Sequence, residues 1–215
     1  MMDFSAVRAI TIPEGAASQL RIGGSLVWKK SPLPVGFTAL RYIETDGKQY
    51  IDTGFTPDSN TRMVLDFEMT RSGVVSQIIG SRNTTSSRAF AFGQNDANEW
   101  RFGYGNAYYG AGESDTGRHV LDFDHNTVML DGTAVGAAAE QEFTGAHMML
   151  IGAVRATGKV YYGYARFYAC QIYDNGTLVR DLLPCVNEAG AAGMYDQVSG
   201  AFYANAGSGT LIMGE

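Results

Sequence analysis

The chain has 215 residues, a net charge of −6 at neutral pH and 18% charged residues. An acidic surface of this kind argues against nucleic acid as a partner, because affinity for the phosphate backbone depends on Lys and Arg. No apolar run approaches the about 18 residues of a membrane span, so membrane insertion is not expected. Residues 1–5 have neither a basic nor an apolar signal region, so we expect no signal peptide and synthesis in the cytoplasm.

The N-terminal segment is predicted to form a short β-hairpin module over residues 1–30. Residues 9–12 and 19–22 alternate apolar and polar side chains on either side of a turn. Two or three short strands cannot hold a core alone, so this module needs a surface on which to dock. Residues 31–36 contain two prolines and are predicted to be a stiff linker that leads into a domain spanning residues 37–215.

From residue 37 onward, strand patterns recur about every ten residues, which is typical of an antiparallel two-sheet sandwich. The clearest lies at residues 61–70, where Leu65 and Phe67 fall on one face and Asp66 and Glu68 on the other. Further strands are predicted over residues 49–53, 76–80, 89–93, 99–104, 119–124, 127–131, 148–152, 160–173 and 178–183. Residues 161–173 are apolar on both faces, which indicates a central strand. No window has a sustained helical period, and the fold is predicted to be all-β.

A two-residue hairpin turn is predicted at Asn175-Gly176, which places residues 178–183 antiparallel to residues 160–173. With the turn centred there, Cys170 lies opposite Asp181 and Cys185 lies about four residues further along, or roughly 13 Å. A disulfide allows at most about 7 Å between Cα atoms. Two buried free thiols are therefore favoured, although a bend at the proline before Cys185 would leave a disulfide open.

Three segments carry a family pattern. Residues 42–54 (YIETDGKQYIDTG), the strand pair within residues 117–132 that ends in Leu-Asp-Gly, and residues 150–153 followed by 164–173 occur in this order. Together they resemble the opening, paired and closing strands of the concanavalin A-like lectin/glucanase superfamily, in its laminin G-like form. The resemblance spans about residues 37–215 and implies a jelly-roll sandwich there.

A narrower likeness rests on residues 42–44 (YIE), residues 49–54 (QYIDTG) and residues 193–203 (GMYDQVSGAFY). These resemble a module that is frequent in phage or prophage tail proteins and in proteins of gut bacteria. The likeness implies a structural or receptor-binding part of a virion, or a bacterial adhesin. A virion protein leaves the cell by lysis, which is consistent with the expected lack of a signal peptide.

The superfamily includes β-glucanases with Glu-x-Asp-x-Glu on one strand, where two carboxylates about 5 Å apart perform retaining hydrolysis. Asp66 and Glu68 match the second and third acids, but Val64 stands at the position of the nucleophile. Because a glucanase without its nucleophile cannot form the glycosyl-enzyme, we expect that the chain is not an enzyme.

Many laminin G-like domains bind calcium, so the resemblance makes calcium the cofactor to consider. The candidate ligands are Asp96, Glu113 and Asp115, all in predicted loops. They do not form a dense string of oxygen ligands like that of an EF-hand. Solvated loop acids are favoured over a metal site.

Residues 82–115 are the richest segment for ligand binding, because sugar recognition combines a flat aromatic face with planar polar groups. The candidate glycan-binding residues are Arg88, Asn95, Asp96, Asn98, Trp100, Tyr108 and Tyr109. Residues 103–110 are predicted to be a flexible glycine-rich loop that presents Tyr108 or Tyr109 as a stacking platform. Trp100 has an alternative interpretation, since it shares a strand face with Phe102 and Tyr104 and that face can be core.

The functional hypothesis is non-catalytic recognition, of a cell-surface glycan, by a module of a phage-tail or adhesin-like protein. The alternative is a purely structural assembly module that contacts neighbouring chains and binds no sugar.

Overall fold

The computed structural model describes residues 33–84 and 87–214 in full, together with the backbone of two earlier strands. The chain divides into two compact units, Met1–Pro34 and Val35–Glu215. Strands are numbered in chain order through both units.

In the first unit, β1 (Gln19–Ile22) pairs with β2 (Ser25–Lys29) as an antiparallel hairpin. The strand predicted over residues 9–12 lies outside the described residues. The assignment of residues 31–36 to a linker stays a prediction.

The second unit is all-β in its described part, with no helix, which confirms the predicted fold class. Its strands form two sheets whose pairings are antiparallel except for one parallel bridge between Ser81 and Arg155. Among the described residues, no helix is long and apolar enough to cross a membrane.

The larger sheet contains eleven strands within the described residues, in the order β13-β12-β11-β6-β17-β18-β19-β20. Three further strands extend it, since β3 pairs with β18, β4 pairs with β17, and β21 pairs with β4. Its strands are β3 (Phe37–Ala39), β4 (Tyr42–Asp46), β6 (Thr61–Met69), β11 (Arg118–Asp124), β12 (Thr127–Leu130), β13 (Thr133–Ala137), β17 (Tyr164–Asp174), β18 (Thr177–Asn187), β19 (Ala192–Asp196), β20 (Phe202–Ala204) and β21 (Ile212–Gly214).

The smaller sheet contains eight strands within the described residues, in the order β10-β9-β8-β7-β14-β5, with β15 paired with β7 and β16 paired with β15. Its strands are β5 (Ile51–Asp52), β7 (Ser76–Ser81), β8 (Ala89–Gln94), β9 (Glu99–Gly105), β10 (Ala107–Glu113), β14 (Leu150–Ile151), β15 (Ala153–Ala156) and β16 (Lys159–Tyr162).

The core is built largely by strands in which large inward-facing apolar side chains alternate with polar or small outward-facing ones. Strand β6 alternates buried and half-buried residues along its whole length, as its sequence predicts. Aromatic rings of the two sheets meet between them: Phe90 of the smaller sheet stacks on Phe123 of the larger, with centroids 4.2 Å apart. Phe67 of the larger sheet meets Trp100 of the smaller edge to face at 5.7 Å. Such contacts add to the free energy of burial.

The single strand predicted over residues 160–173 is in fact two strands in different sheets. Strand β16 belongs to the smaller sheet, and β17 lies in the centre of the larger one, as predicted for its apolar faces. The chain crosses between them at Gly163, where an added Cβ would lie 2.4 Å from the carbonyl oxygen of Gln77. Only glycine permits this close approach of two backbones.

The predicted hairpin between β17 and β18 is confirmed, and both residues of its turn have positive φ, 47° at Asn175 and 78° at Gly176. The predicted register is wrong by one residue. A shift between Ile172 and Tyr173 pairs Cys170 with Leu182 rather than with Asp181.

Both cysteines are buried and free, which confirms the favoured alternative. Burial raises the pKa of Cys185 to about 11 and also raises the pKa of Cys170. Both thiols are therefore protonated and unreactive at neutral pH.

Candidate functional site

The stretch predicted to be a flexible aromatic loop is a β-hairpin. Strands β9 and β10 pair directly, with Ala107 opposite Tyr104 and Tyr109 opposite Phe102, and Gly105 and Asn106 form the turn between them. The loop prediction gave too much weight to the glycine content. The dipeptide Gly-Asn between two aromatic runs is itself a hairpin signal, and it was the sequence feature that could have revealed β10.

Because neighbouring residues of a strand point to opposite faces, Tyr108 and Tyr109 cannot form one platform. Tyr109 lies on the inner face, stacked on Phe102 at 5.1 Å with 25° between the rings, and it packs against the core. Tyr108 lies on the outer face across Gly103, where an added Cβ would lie 2.8 Å from its Cζ. Of the two tyrosines predicted as stacking platforms, only Tyr108 therefore lies on the outer face.

Trp100 belongs to the core and is wrongly placed among the candidate ligand residues. Its side chain is 2% exposed and is enclosed by Phe67 and Phe92 at 5.7 and 5.4 Å. Phe102 and Tyr104 on the same strand face are also buried. The alternative interpretation of these three residues as core is the correct one.

The remaining candidates do not converge on one place. Arg88 precedes β8 and Asn95 follows it, so the length of that strand, roughly 20 Å, separates them. Arg88 instead lines a cavity of about 390 Å³ with Asn106 and Glu142. The predicted set therefore does not form a single site.

The turn after β8 uses its amides to hold its own backbone. The Asn95 Oδ1 accepts hydrogen bonds from the backbone N–H groups of Ala97 and Glu99 at 3.0 and 2.9 Å. The Asn98 Oδ1 accepts one from the N–H of Gly73 on the neighbouring loop. Asp96 is exposed at the tip of the turn. These side chains position loops, and of the three only Asn95 also lines a pocket, which it shares with Tyr108.

A groove of about 360 Å³ runs along the outer face of the smaller sheet, and we call it the outer-face groove. Its lining residues are Val75, Gln77, Arg82, Gln94, Asn95, Arg101 and Tyr108. The volume lies within the range of about 300 to 1,000 Å³ that is typical of small-molecule sites.

The groove exists because β8 and β9 place large side chains inward and small ones outward. In β8, Phe90 and Phe92 enter the core, which leaves Ala91 and Gly93 on the outer face. In β9, Gly103 lies outward between two inward aromatic residues. At these positions β8 and β9 contribute no large side chain of their own to the outer face, and longer side chains from neighbouring strands, such as Tyr108 over Gly103, occupy and surround this area.

Strand pairing sets the polar side chains of the groove in a row. Gln77 pairs with Gly93, and Gly93 pairs with Arg101, so Gln77 and Arg101 flank a glycine on the same face. Two strand spacings put their Cα atoms about 10 Å apart. Gly93 itself is required by packing, since an added Cβ would lie 2.3 Å from the carbonyl oxygen of Ser76.

Two hydrogen-bonding atoms in this row have no partner among the described residues. They are the Gln77 Oε1, an acceptor, and the Arg101 Nε, a donor, and both atoms are buried. Buried polar atoms are almost always hydrogen-bonded in native structures, because an unmade bond costs about 1–3 kcal/mol. An unmatched donor and an unmatched acceptor on two residues that line the same groove favour a polar ligand or solvent there.

Gln94 forms one wall of the groove, and its amide is fully satisfied. Its Nε2 donates to the carbonyl oxygens of Arg71 and Val74 at 2.9 and 3.0 Å, and its Oε1 accepts from Ser114 Oγ at 2.9 Å. These bonds fix the loop that carries the exposed Val75 beside the groove. The wall is therefore preformed.

Another part of the lining is the guanidinium of Arg82, which lies over two tyrosine rings. The Arg82 Cζ lies 4.1 Å from the ring centre of Tyr161 and 5.6 Å from that of Tyr108. Its Nη1 donates to the Tyr108 hydroxyl at 3.3 Å. Burial of that hydroxyl raises the pKa of Tyr108, so the phenol is neutral at physiological pH. The arrangement holds the ring of Tyr108 in one orientation.

A second cavity, of about 550 Å³, lies at one end of the sandwich and is lined by polar residues. Its carboxylates are Asp124, Glu140 and Glu142, and its one aromatic residue is Tyr104. The Tyr104 hydroxyl already donates to backbone carbonyl oxygens, with that of Ser59 at 3.1 Å. This cavity has neither a free aromatic face nor an unpartnered buried polar atom among the described residues.

The acids that match the glucanase motif lie on the outer face of the larger sheet, as predicted, but they are engaged in ion pairs. Asp66 accepts two hydrogen bonds from Arg118, and Glu68 binds Arg166 at 2.8 Å and the Tyr168 hydroxyl at 2.6 Å. Val64 stands on the same strand. Both carboxylates are thus engaged by neighbouring side chains.

No group of three or more His, Cys, Asp or Glu side chains is placed to hold a metal ion in the part of the chain that is described. Of the acids considered for calcium, Asp96 and Glu113 are exposed, and Asp115 is hydrogen-bonded to the ring of His119 at 3.0 Å. These three residues are therefore not brought together as a ligand set.

No protein-family model matches the chain, and no curated protein sequence matches it either. Function is therefore inferred from the geometry of the outer-face groove.

Proposed function

We propose that this chain is a non-catalytic recognition module that binds a carbohydrate in the outer-face groove. The observation that carries the proposal is the pair of buried, unpartnered atoms Gln77 Oε1 and Arg101 Nε beside the ring of Tyr108. The hydroxyl groups of a saccharide donate and accept hydrogen bonds, so different hydroxyl groups of one saccharide can satisfy the two atoms. The face of a tyrosine ring suits the apolar C–H side of a sugar ring.

The lining of the groove supports binding without catalysis. Glycoside hydrolysis uses two carboxyl groups that flank the scissile bond. The lining residues of the groove include no Asp and no Glu. Among the lining residues, the ionisable groups are the guanidinium groups of Arg82 and Arg101 and the hydroxyl of Tyr108, which stays neutral.

The biological setting that we propose is a phage-tail or adhesin-like protein with a concanavalin A-like, laminin G-type domain. Its support is the sequence resemblance together with the all-β, two-sheet architecture. In such a protein, the ligand would be a cell-surface glycan.

A glycan array tests the proposal, with the wild-type chain compared with two groove variants. We expect Arg101→Ala to weaken binding by about tenfold or more, because it removes a hydrogen bond from a charged group. Gln77→Ala should weaken binding of the same glycans several-fold. Arg62→Ala, which removes a partly buried ion pair on the outer face of the larger sheet, is the control outside the groove and should bind normally. Equal binding by all four proteins would contradict the assignment of the groove.

One observation favours the alternative of a structural assembly module. Strand β21 carries two consecutive exposed apolar residues, Ile212 at 43% and Met213 at 49% exposure. Strands that expose apolar residues are potential sites for pairing with another chain. Under this alternative, Met213→Lys would dissociate an oligomer seen by light scattering, and no glycan would bind.

A further inference from the structure

The outer-face groove differs in charge from the rest of the molecule. The chain as a whole has a net charge of −6. The charged lining residues of the groove are Arg82 and Arg101, and no carboxylate lines it. The groove is therefore a positively charged recess on an acidic protein, which favours an anionic ligand.

The environment of Arg101 differs from that of the arginines on the outer face of the larger sheet. There, Arg62, Arg118 and Arg166 each meet a carboxylate at 2.7 Å. Among the described residues, the carboxylate that Arg101 contacts is that of Glu99, at 3.9 Å. Such a long, solvent-exposed contact contributes little and leaves a guanidinium able to exchange its partner.

Glu99 is also held by another residue. Its Oε2 accepts a hydrogen bond from Asn95 Nδ2 at 2.8 Å, which directs this carboxylate toward the turn after β8. Arg101 is 38% exposed at its side chain, while its Nε is buried and unpartnered. A partly exposed guanidinium that is only weakly paired can donate hydrogen bonds from its planar fork to a carboxylate or sulfate.

We infer that the groove selects acidic saccharides, with Arg101 binding a carboxylate or sulfate group of the sugar. This inference rests on the proposed function and specifies its ligand class. Gln77, about 10 Å away across Gly93, accepts a hydrogen bond from a hydroxyl of the same saccharide. Tyr108, held in place by Arg82, supplies the ring face.

The test is an array of sialylated, uronic acid-containing and sulfated glycans, each printed beside its neutral counterpart. Wild type should bind acidic glycans, and binding should fall as sodium chloride is raised. Arg101→Gln should weaken binding by about tenfold or more, because it removes the charge and the paired donors. Arg101→Lys keeps the positive charge but not the planar guanidinium, so it should lose less affinity than Arg101→Gln. Arg62→Gln is the control that removes an arginine elsewhere, and a thermal melt of each variant verifies folding.

Three outcomes would overturn the inference, and they separate it from the proposed function. If neutral glycans bind as well as acidic ones and Arg101→Gln weakens both, the groove is the site and acid selection is wrong. If acidic glycans bind equally to wild type and to every groove variant, both the selection and the site are wrong. If no printed glycan binds the folded wild-type protein, carbohydrate recognition itself is wrong.

Discussion

The replacement Tyr109→Ala separates core packing from ligand binding on one strand. Tyr109 and Tyr108 are adjacent but lie on opposite faces of β10, so only Tyr108 lines the groove. Tyr109 is half-buried and stacks on Phe102 at 5.1 Å. We therefore expect the change to lower stability and to leave saccharide affinity unaltered.

The magnitude follows from the burial of the ring. Truncation of a fully buried Phe or Trp to Ala costs about 3–5 kcal/mol, and an aromatic pair contributes about 0.5–1.5 kcal/mol beyond its area. Because Tyr109 is only half-buried, roughly 2 kcal/mol is expected. For a unit of this size, each kcal/mol lowers Tm by about 2–4 °C, so Tm should fall by about 4–8 °C.

Differential scanning calorimetry measures the change in Tm, and titration with a glycan that binds the wild-type protein measures affinity. Tyr108→Phe is the companion variant, since it keeps the ring and removes the hydroxyl that accepts the hydrogen bond from Arg82. We expect Tyr108→Phe to weaken saccharide binding clearly and to have only a small effect on Tm. An unchanged Tm for Tyr109→Ala together with a large loss of affinity would show that Tyr109 faces the ligand and would refute the placement.

Three further predictions concern the framework. Burial of the His119 ring lowers the pKa of its imidazole, but hydrogen bonds to Asp131 and Asp115 raise it by more. The pKa of His119 is therefore above its usual value. The stabilisation that the protonated His119 gives the folded state is therefore complete below the unfolded-state pKa of about 6.5. It is lost as pH rises through the pKa of His119 in the folded state. The Tm difference between wild type and His119→Gln should accordingly be larger at pH 6 than at pH 8, and an equal difference would contradict it. Gly80→Ala should strongly lower the free energy of unfolding, as measured by chemical denaturation, because the φ of Gly80 is 132° and an added Cβ would lie 2.3 Å from a backbone oxygen. Cys170 and Cys185 should react with a thiol reagent only after denaturation, and rapid labelling of the native protein would show that they are accessible.

The sequence was sufficient for features that depend on local alternation. The pattern of β6 predicts both its buried face and its outer acids, and Asn175-Gly176 predicts the hairpin between β17 and β18. The crossing at Gly163 was not predictable in this way, because the residues on both sides of it are apolar and continue the strand pattern. An isolated glycine within a strand indicates a bulge or a close approach of backbones, but it does not specify a change of sheet. That crossing depends on the approach of two backbones that are distant in the chain.

The site was only partly predictable from sequence. The segment that carries Asn95 and Tyr108 was identified, but the groove also needs Gln77 from β7, which strand pairing alone brings opposite Gly93. Alternation of aromatic with small residues in β8 and β9 was present in the sequence. It indicates a groove only once the register of three strands is known, because the register decides which side chains surround the small residues.

The most direct test of carbohydrate recognition in the outer-face groove is an NMR titration of the wild-type protein with the strongest glycan from the array. We predict that the largest amide shift changes fall on Gln77, Arg101, Gly103 and Tyr108. Shift changes concentrated instead at the end cavity, around Asn60 and Gln141, would place the ligand elsewhere and would contradict the proposal.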